Sequence, residues 1–397
     1  MNIAFLVYEY AHKKTPHYGG IGTYFKVIAN ELVKRGHKVY VFHYNPYIIN
    51  NIEQFYDGEV EIVNLKNFFR NHFFYRKLKK VARKIQSSSL YTKMIIREHK
   101  YIAENFLKFI QDKNIDIIKT HDNQGFFSFL RTDIPKVIHC HGSTMMLVHS
   151  FGYELDKLSY DSMRFLEQKS FDNADYIMAV SEFSARTSQK LFKSKEINVI
   201  NNGIDISKFF ANENKEEIPF SIFYFGAVRQ TKGVDIVAKV FNKVIEKEER
   251  ATLHVIGNGE EYWNYLNQEV LSDKAKKNSI YYGQVIRDEI VDKLKRGSVF
   301  IFPSQGENFP FTFIEAMALE KVVVVSNIEV SKEIINDGVD GFIAKSEDEY
   351  TQIILDLFKD EERRKKIAIK AKEKVVNKYT IEKMVDDTIT LYKGIVK

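Results

Sequence analysis

The chain has 397 residues, of which 44% are hydrophobic, and this predicts about two globular domains and excludes a disordered protein. Its net charge of +6 is too weak a bias to indicate nucleic acid as a partner. A lone cysteine, Cys140, excludes an intramolecular disulfide framework. Residues 1–10 lack the features of a signal peptide, and no apolar run is long enough to span a membrane. We therefore expect a cytoplasmic protein that can still touch the inner face of a membrane.

The first half of the chain alternates between strand and helix patterns. A short apolar strand at 3–7 is followed by the glycine-rich loop 19–22, and an amphipathic helix then runs to Gly36. A second strand at 39–42 completes a βαβ unit, which opens a parallel sheet. Later strands of the same sheet are predicted at 115–118, 136–139, 176–180 and 199–200.

The same alternation restarts after a polar segment at 211–219 that is typical of a linker. Strands are predicted at 221–225, 253–256, 299–302 and 322–325, and helices at 234–244, 288–295, 315–319 and 381–392. The fold class is therefore α/β, with two Rossmann-like, doubly wound parallel-sheet domains that face a cleft. We place the first domain at 1–210 and the second at 211–375, with a C-terminal helix at 376–397 that packs back on the first.

Two glycine-containing loops are candidates for binding phosphate, because each follows a strand and precedes a helix. In the loop 19–22, Gly20 lies at a helix N-terminus, which favours anions, although a plain tight turn is the alternative. In the loop 226–233, Arg229 and Lys232 are close enough in sequence to converge on a diphosphate. A solvated basic loop is the alternative there.

Two further strand ends carry candidate site residues. Glu307 lies in the loop after the strand 299–302, and Glu315 is expected to begin the next helix, where a carboxylate suits a ribose diol. An acid stabilised by the helix dipole is the alternative for Glu315. His139 and His141 flank Cys140, but no further ligands have the spacing of a structural zinc site, so we reject a metal centre. We expect His141 to face the cleft and His139 to lie in the core.

Taken together, these segments resemble the family 4 glycosyltransferases, which have the GT-B fold. The resemblance covers almost the whole chain and rests on motifs that occur in the family's order. They are Gly19-Gly20 with the helix to Gly36-His37-Lys38-Val39, His141-Gly142, Ala174-Asp175 to Ala179-Val180-Ser181, Asn202-Gly203-Ile204-Asp205, Gly226 with Arg229, Lys232 and Gly233, Ile256-Gly257-Asn258-Gly259, and Glu307 to Glu315.

The resemblance implies a retaining transfer of a hexose or N-acetylhexosamine from a nucleotide-diphosphate sugar, with UDP preferred over GDP, to a glycan or lipid-linked acceptor. By analogy, the catalytic residues are His141, Glu307, Arg229 and Lys232. The analogous donor-binding residues are Gly20, Arg229, Lys232, Gly257, Val285, Asn308, Phe309, Pro310, Phe311, Thr312 and Glu315. The stretch after Glu307 departs from the Gly-Phe-Gly turn that is frequent in the family, which affects the turn geometry and the sugar preference.

We expect no cofactor and no metal, because the sequence contains no Asp-x-Asp triplet and two cations can take the metal's place. Three alternatives stay open: a nucleotide-sugar epimerase of the same fold, a glycan phosphorylase, and a non-catalytic partner subunit that binds a nucleotide sugar. We identify no pyridoxal lysine for a phosphorylase. The intact set of Arg229, Lys232, Glu307 and Glu315 argues against an inactive subunit.

Residues 66–84 are rich in basic and aromatic side chains and contain no acidic one. Lys and Arg are attracted to an anionic leaflet, and aromatic rings suit the membrane interface. The segment predicts that the first domain docks on the inner face of a membrane to reach a lipid-linked glycan. An ordinary basic helix with an apolar face turned towards the core is the alternative.

Overall fold

The computed structural model describes residues 1–15, 19–44, 53–65, 69, 72–210, 216–285 and 287–396. Parts of the predicted linker and of the basic segment 66–84 therefore lie outside the described residues. The chain divides into two compact units. Unit 1 comprises Met1–Ile200 together with Val385–Lys397, and unit 2 comprises Asn201–Met384. The sequence-based boundaries were 210 and 375.

Unit 1 contains an eight-stranded sheet in the order β3-β4-β2-β1-β5-β6-β7-β8. Its strands are β1 (Asn2–Val7), β2 (Lys38–His43), β3 (Glu53–Asp57), β4 (Val60–Asn64), β5 (Ile117–His121), β6 (Lys136–Cys140), β7 (Tyr176–Ala179) and β8 (Ile197–Val199). The pairing is parallel except between β3 and β4. The central strands are buried on both faces, which explains why they read as continuous apolar runs.

Helices cover this sheet and connect its strands. They span Gly20–Lys34, Phe73–Lys84, Ser88–Ile110, Thr144–Phe151, Lys157–Asn173 and Glu182–Phe192. The last helix of the chain, Ile381–Ile395, contributes its final turns to unit 1. We call Phe73–Lys84 the basic helix and Ile381–Ile395 the C-terminal helix. None of the described helices is both long and apolar enough to cross a membrane.

Unit 2 contains a six-stranded, wholly parallel sheet in the order β11-β10-β9-β12-β13-β14. Its strands are β9 (Ser221–Phe225), β10 (Thr252–Ile256), β11 (Ser279–Tyr281), β12 (Val299–Phe302), β13 (Val322–Ser326) and β14 (Phe342–Ala344). Its helices are Ser207–Phe210, Val234–Lys247, Glu260–Glu269, Asp273–Lys277, Arg287–Leu294, Phe311–Ala318, Glu329–Ile334, Glu347–Lys359 and Glu361–Lys378. Two α/β units built on parallel sheets therefore agree with the predicted fold class.

Two local predictions were wrong in ways that affect the site. The helix expected to begin at Glu315 begins at Phe311, so Glu315 lies one turn inside it. Pro310 precedes the first turn. A residue at this position donates no helical hydrogen bond, so the missing N–H of proline costs nothing there. Strand β5 spans Ile117–His121 rather than 115–118, which brings Lys119 into the middle of a buried strand.

Candidate active site

The carboxyl ends of β9 and β10 carry two loops that lie directly against each other. Gly257 has a φ of +146°, and a Cβ atom there would be 1.7 Å from the carbonyl oxygen of Gly226, so only glycine fits. The Val228 amide donates to the Asn258 carbonyl at 2.8 Å. The loop that follows β9 is therefore fixed by its neighbour, and this loop carries Arg229.

The segment after β12 lies against the other end of the same loop. Gly233 has a φ of +70°, and a Cβ atom there would be 2.0 Å from the carbonyl oxygen of Pro303. The Gln305 amide donates to the Thr231 carbonyl at 3.1 Å. These contacts arise because β9 and β12 are neighbours in the sheet. They bring Lys232 beside the residues that follow β12.

Two cations and one carboxylate surround the end of β9. Lys232 Nζ forms an ion pair with Glu307 Oε1, and both side chains are largely buried. Tyr224, in β9, donates its hydroxyl to the Ala227 carbonyl at 2.7 Å. Burial raises the pKa of Tyr224, the charge of Glu307 raises it further, and the charge of Arg229 opposes this. Glu307 and Arg229 therefore act on the same hydroxyl, while the Arg229 side chain itself is exposed.

The helix Phe311–Ala318 begins beside this loop. The methyl group of Thr312 is 3.8 Å from the position that a Cβ atom at Gly226 would take. In the described part of the chain, no side chain caps this helix N-terminus. Its first backbone amides can therefore donate to an anion. Glu315 is partly exposed one turn further along the helix.

The residues that join Glu307 to this helix contribute mainly through their main chain. Phe309 is buried, and its ring packs against those of Phe311 and Tyr379 at centroid distances of 5.7 and 5.8 Å. Pro310 is buried as well, whereas Asn308 is half-buried. The Phe309 side chain therefore stabilises the loop, and only its backbone is placed to meet a ligand.

A third loop follows β11 at the same edge of the sheet. The Gly257 amide donates to the Gly283 carbonyl at 2.8 Å, and Val285 follows in a half-buried position. The structure thus gathers one set of predicted donor residues at the carboxyl ends of four neighbouring strands. The set is Arg229, Lys232, Gly257, Val285, Glu307, Asn308, Phe309, Pro310, Phe311, Thr312 and Glu315. Gly20 and His141 belong to unit 1.

Gly20 is exposed and begins the helix Gly20–Lys34 after β1. The Glu9 carboxylate accepts from the Gly19 amide at 2.6 Å and from the Gly22 amide at 3.3 Å. A carboxylate is favoured there by the partial positive charge of the helix N-terminus. The predicted anion site therefore holds one of the chain's own carboxylates. Glu9 was not predicted from the sequence, although it closely follows the first apolar strand.

His141 follows β6 in a loop whose main chain is held by two buried carboxylates. Asp122 accepts from the His141 amide at 2.9 Å and from the Gly142 amide at 3.1 Å. Glu167 accepts from two amides at the start of the helix Thr144–Phe151, at 2.8 and 3.0 Å. Neither carboxylate was singled out from the sequence, because each acts on a loop distant in the chain.

Burial sets the protonation of both carboxylates. It raises the pKa of Asp122 to about 6 and that of Glu167 to about 8, against the opposing effect of the amides that donate to them. His139 is fully buried, and its Nδ1 lies 3.0 Å from Nε2 of His141. Among the described residues, no three His, Cys, Asp or Glu side chains are grouped as they are in a metal site.

The raised pKa of Glu167 predicts a pH-dependent stability. Its pKa of about 8 lies above the ordinary value of 4.5, so the folded chain keeps a proton that the unfolded chain releases. Stability is therefore lost as the pH rises between these two values. From pH 6 to pH 8, the free energy of unfolding should fall by about 2 kcal/mol more in the wild type than in Glu167→Gln. Denaturant unfolding of both proteins at the two pH values measures this, and equal falls would contradict the assignment.

Two family models match the chain. A model described as Glycosyltransferase Family 4 matches residues 18–208, and one described as Glycosyl transferases group 1 matches residues 205–374. A relative in Escherichia coli is named UDP-Gal:alpha-D-GlcNAc-diphosphoundecaprenol alpha-1,3-galactosyltransferase. It is 25% identical over 314 residues, which cover 72% of this chain and 77% of that protein.

Solved structures with the same fold include sucrose-phosphate synthase from Thermosynechococcus elongatus and HepE from Anabaena in complex with UDP. The first has a TM-score of 0.73 at 15% identity and covers 99% of this chain and 98% of its own. The second has a TM-score of 0.69 at 17% identity and covers 99% of this chain and 100% of its own. At these identities the likeness establishes the fold.

Proposed function

Because the chain is a family 4 glycosyltransferase with the GT-B fold, acting in polysaccharide or glycoconjugate synthesis, we propose that it transfers a hexose or N-acetylhexosamine with retention. The donor is a nucleotide-diphosphate sugar, with UDP preferred over GDP. The acceptor is a glycan or a lipid-linked glycan. We assign donor binding to unit 2, and acceptor binding to unit 1 through His141.

One observation carries this proposal, namely the cluster of charges around the end of β9. Arg229, the pair formed by Lys232 and Glu307, and the uncapped start of the helix Phe311–Ala318 lie together there. A diphosphate needs several cations and amide donors at one point, and this cluster supplies both. The UDP preference is supported by the E. coli relative, whose name gives UDP-Gal as donor, and by UDP bound to HepE.

The chemistry follows from where charge develops. Breaking the anomeric bond leaves negative charge on the diphosphate and positive charge on the sugar ring. Lys232 and Arg229 stabilise the departing diphosphate most in the transition state, when its charge is largest. Glu307 is paired with Lys232, so it binds sugar hydroxyls instead of donating a proton as a glycosidase acid does. Glu315 binds the ribose, and the departing phosphate accepts the proton of the acceptor on the same face, which gives retention.

We also propose that the reaction needs no divalent metal and no cofactor. In enzymes with an Asp-x-Asp triplet, a metal neutralises the diphosphate, and this sequence has no such triplet. Arg229 and Lys232, the two basic side chains at the end of β9, would take over that neutralisation.

A thermal-shift screen of UDP-, GDP-, ADP- and dTDP-sugars tests the donor assignment. A UDP-sugar at a hundredfold excess over its Kd should stabilise the folded protein by about 2.7 kcal/mol and raise the Tm. The Arg229→Ala/Lys232→Ala double variant is the control and should not respond. A response to GDP-sugars alone would overturn the UDP preference, and no response to any donor would overturn the proposed function.

Product analysis separates transfer from the alternatives. With the identified donor and a diphosphate-linked glycan acceptor, NMR of the product should show the donor's anomeric configuration, and EDTA should leave the rate unchanged. Formation of an epimerised sugar or sugar nucleotide without an acceptor would indicate an epimerase instead. Binding without turnover of any acceptor would indicate a non-catalytic subunit.

The basic helix supports the proposal of a membrane-bound acceptor. Its side facing unit 1 is formed by Tyr75, Lys79 and Ala82, and the Tyr75 hydroxyl donates to the Met94 carbonyl at 3.0 Å. An apolar stripe points away from the unit and is exposed. It consists of Phe73, Phe74, Leu78, Val81 and, just after the helix, Ile85. The apolar face is therefore not turned towards the core, which disfavours the alternative of an ordinary basic helix.

Basic side chains flank this stripe, at Arg76, Lys77, Lys80, Arg83 and Lys84. Each cation near an anionic leaflet contributes about 1 kcal/mol, and the apolar side chains can enter the boundary between headgroups and acyl chains. We therefore propose that the basic helix binds an anionic membrane surface at its cytoplasmic face. The E. coli relative, whose name places its acceptor sugar on diphosphoundecaprenol, is consistent with such a location.

Liposome co-sedimentation tests this surface. The wild type should bind vesicles rich in phosphatidylglycerol at moderate salt and should not bind phosphatidylcholine vesicles. Phe74→Ser with Leu78→Ser should reduce the bound fraction at least about tenfold, since two apolar anchors worth about 1.5 kcal/mol each are lost. Ile369→Ser is the control, because Ile369 is an exposed apolar residue of unit 2. Absence of wild-type binding would refute the surface.

A further inference from the structure

Lys119 occupies the middle of β5 and is fully buried. Its Nζ donates to the Tyr24 hydroxyl at 2.6 Å. In the part of the chain that the structure describes, no carboxylate lies within ion-pair distance of this amine. Burying an amine without a counter-charge costs free energy. An apolar residue of similar size would therefore stabilise the fold at least as well as Lys119 does. A residue kept at such a cost points to a role in function.

The Tyr24 side chain links this amine to the two histidines of β6 and its loop. Its ring centroid lies 4.8 Å from that of His139 and 4.5 Å from that of His141. The two imidazoles meet through Nδ1 of His139 and Nε2 of His141 at 3.0 Å. That contact requires one of the two nitrogens to accept, so it cannot persist if both rings are protonated.

We propose that Lys119 and Tyr24 are positioning residues that keep His141 neutral and fixed in orientation for its work on the acceptor. This rests on the proposed function of His141 given above. An amine is ordinarily more basic than an imidazole by about four pH units. Burial lowers the pKa of all three groups, so the amine is the group that takes up the first proton. The amine is buried, and the Tyr24 side chain contacts both the amine and the two imidazole rings, so that charge opposes a second proton on either imidazole.

The remaining ionisable groups around the cluster do not cancel this charge. His121 faces it from β5, and Tyr392 faces it from the C-terminal helix, with its ring centre 5.9 Å from Lys119 Nζ. Burial raises the pKa of Tyr24 and of Tyr392, so neither supplies a negative charge at neutral pH. Asp122 accepts from the amides of His141 and Gly142, and burial raises its pKa to about 6, so below that pH its carboxyl is mostly protonated and supplies little negative charge.

The electrostatic effects agree with this geometry. Burial lowers the pKa of Lys119. Burial lowers the pKa of His141 well below its ordinary value, and the charge of Lys119 is the next largest cause. For His139, burial is again the largest cause, followed by the charges of His141 and Lys119. Removing the amine should therefore raise the pKa of both histidines part of the way, while the lowering caused by burial remains.

The test uses Lys119→Met, which keeps an unbranched side chain one atom shorter and removes the amine, and Tyr24→Phe, which keeps the ring. Lys113→Met is the matched control, because Lys113 is a lysine of the same unit that lies 4.8 Å from the Tyr40 ring centre but pairs with Glu61. Two readouts are taken on the full chain. NMR of labelled imidazoles, assigned with His141→Gln, follows the titration of His141, and the pH dependence of kcat/KM follows its use.

Lys119→Met should raise the titration midpoint of His141 by about one pH unit, move the acid limb of kcat/KM by the same amount, and leave the Tm equal or higher. Tyr24→Phe should shift the His141 midpoint and the acid limb in the same direction but by less. Lys113→Met should shift neither the midpoint nor the acid limb. An unchanged midpoint in Lys119→Met and Tyr24→Phe would overturn the proposal, as would a large loss of Tm in both. A shifted midpoint with an unchanged acid limb would refute the role of His141 while the coupling to Lys119 stands. Full activity of His141→Gln would refute the proposed function itself.

Discussion

Replacing Lys232 by alanine is expected to reduce kcat at least about a hundredfold, which is the scale of one lost donor to a developing charge. The reason is position. Lys232 is held beside the segment after β12 and pairs with Glu307, so its ammonium needs little reorganisation to meet a diphosphate. The substitution also leaves the Glu307 carboxylate without its cation, which adds repulsion towards a bound diphosphate and raises KM for the donor.

Arg229→Ala should lower kcat by a similar factor, and in this variant the loss of the cation is the only expected effect. The Arg229 side chain is exposed, so its removal should leave the midpoint of unfolding unchanged while the charge on the leaving group goes unstabilised. Initial rates at saturating donor, together with unfolding curves, separate the two effects. Lys239→Ala is the control, because Lys239 lies on the next helix and forms a surface ion pair with Glu347 at 3.7 Å. Wild-type turnover in both Lys232→Ala and Arg229→Ala would refute the assignment of the diphosphate to this loop.

The sequence predicted the framework of both units well because buried parallel strands produce uninterrupted apolar runs. The strands 221–225 and 299–302 were predicted with the bounds that β9 and β12 have in the structure. Strand β5 was misplaced for the opposite reason. Lys119 ended its apolar run, and the partner that explains a lysine there, Tyr24, is 95 positions away in the sequence.

The candidate site was predictable as a set of residue types but not as a set of contacts. Arg229, Lys232, Glu307 and Glu315 were selected because each lies near a strand end. Pairing Lys232 with Glu307 required knowing that β9 and β12 are neighbours, which the order along the chain does not give. The roles of Glu9, Asp122 and Glu167 could likewise not be predicted from local spacing. Each carboxylate accepts from amides that are distant in the chain, and such a contact produces no periodic pattern in the sequence.

Gly257→Ala should destabilise unit 2 by about 3 kcal/mol and weaken donor binding. Two costs combine, a φ of +146° that L-residues rarely adopt and a Cβ atom 1.7 Å from the carbonyl oxygen of Gly226. Relief requires the loop after β9 to move, and this loop carries Arg229. The amide of Gly257 donates to the Gly283 carbonyl at 2.8 Å, so the loop after β11 is disturbed as well.

A second glycine of unit 2 separates these two costs. Gly338 has a φ of +73°, but nothing lies within 4 Å of a Cβ atom built there. Gly338→Ala should therefore lower the free energy of unfolding by only the conformational cost, about 1 kcal/mol, and should leave the donor affinity unchanged. Chemical unfolding gives the stabilities, and donor titration gives the affinities. Equal losses of stability with unchanged donor affinity would mean that the loops after β9 and β10 separate freely, and the close contact would then not be what places Arg229 and Lys232.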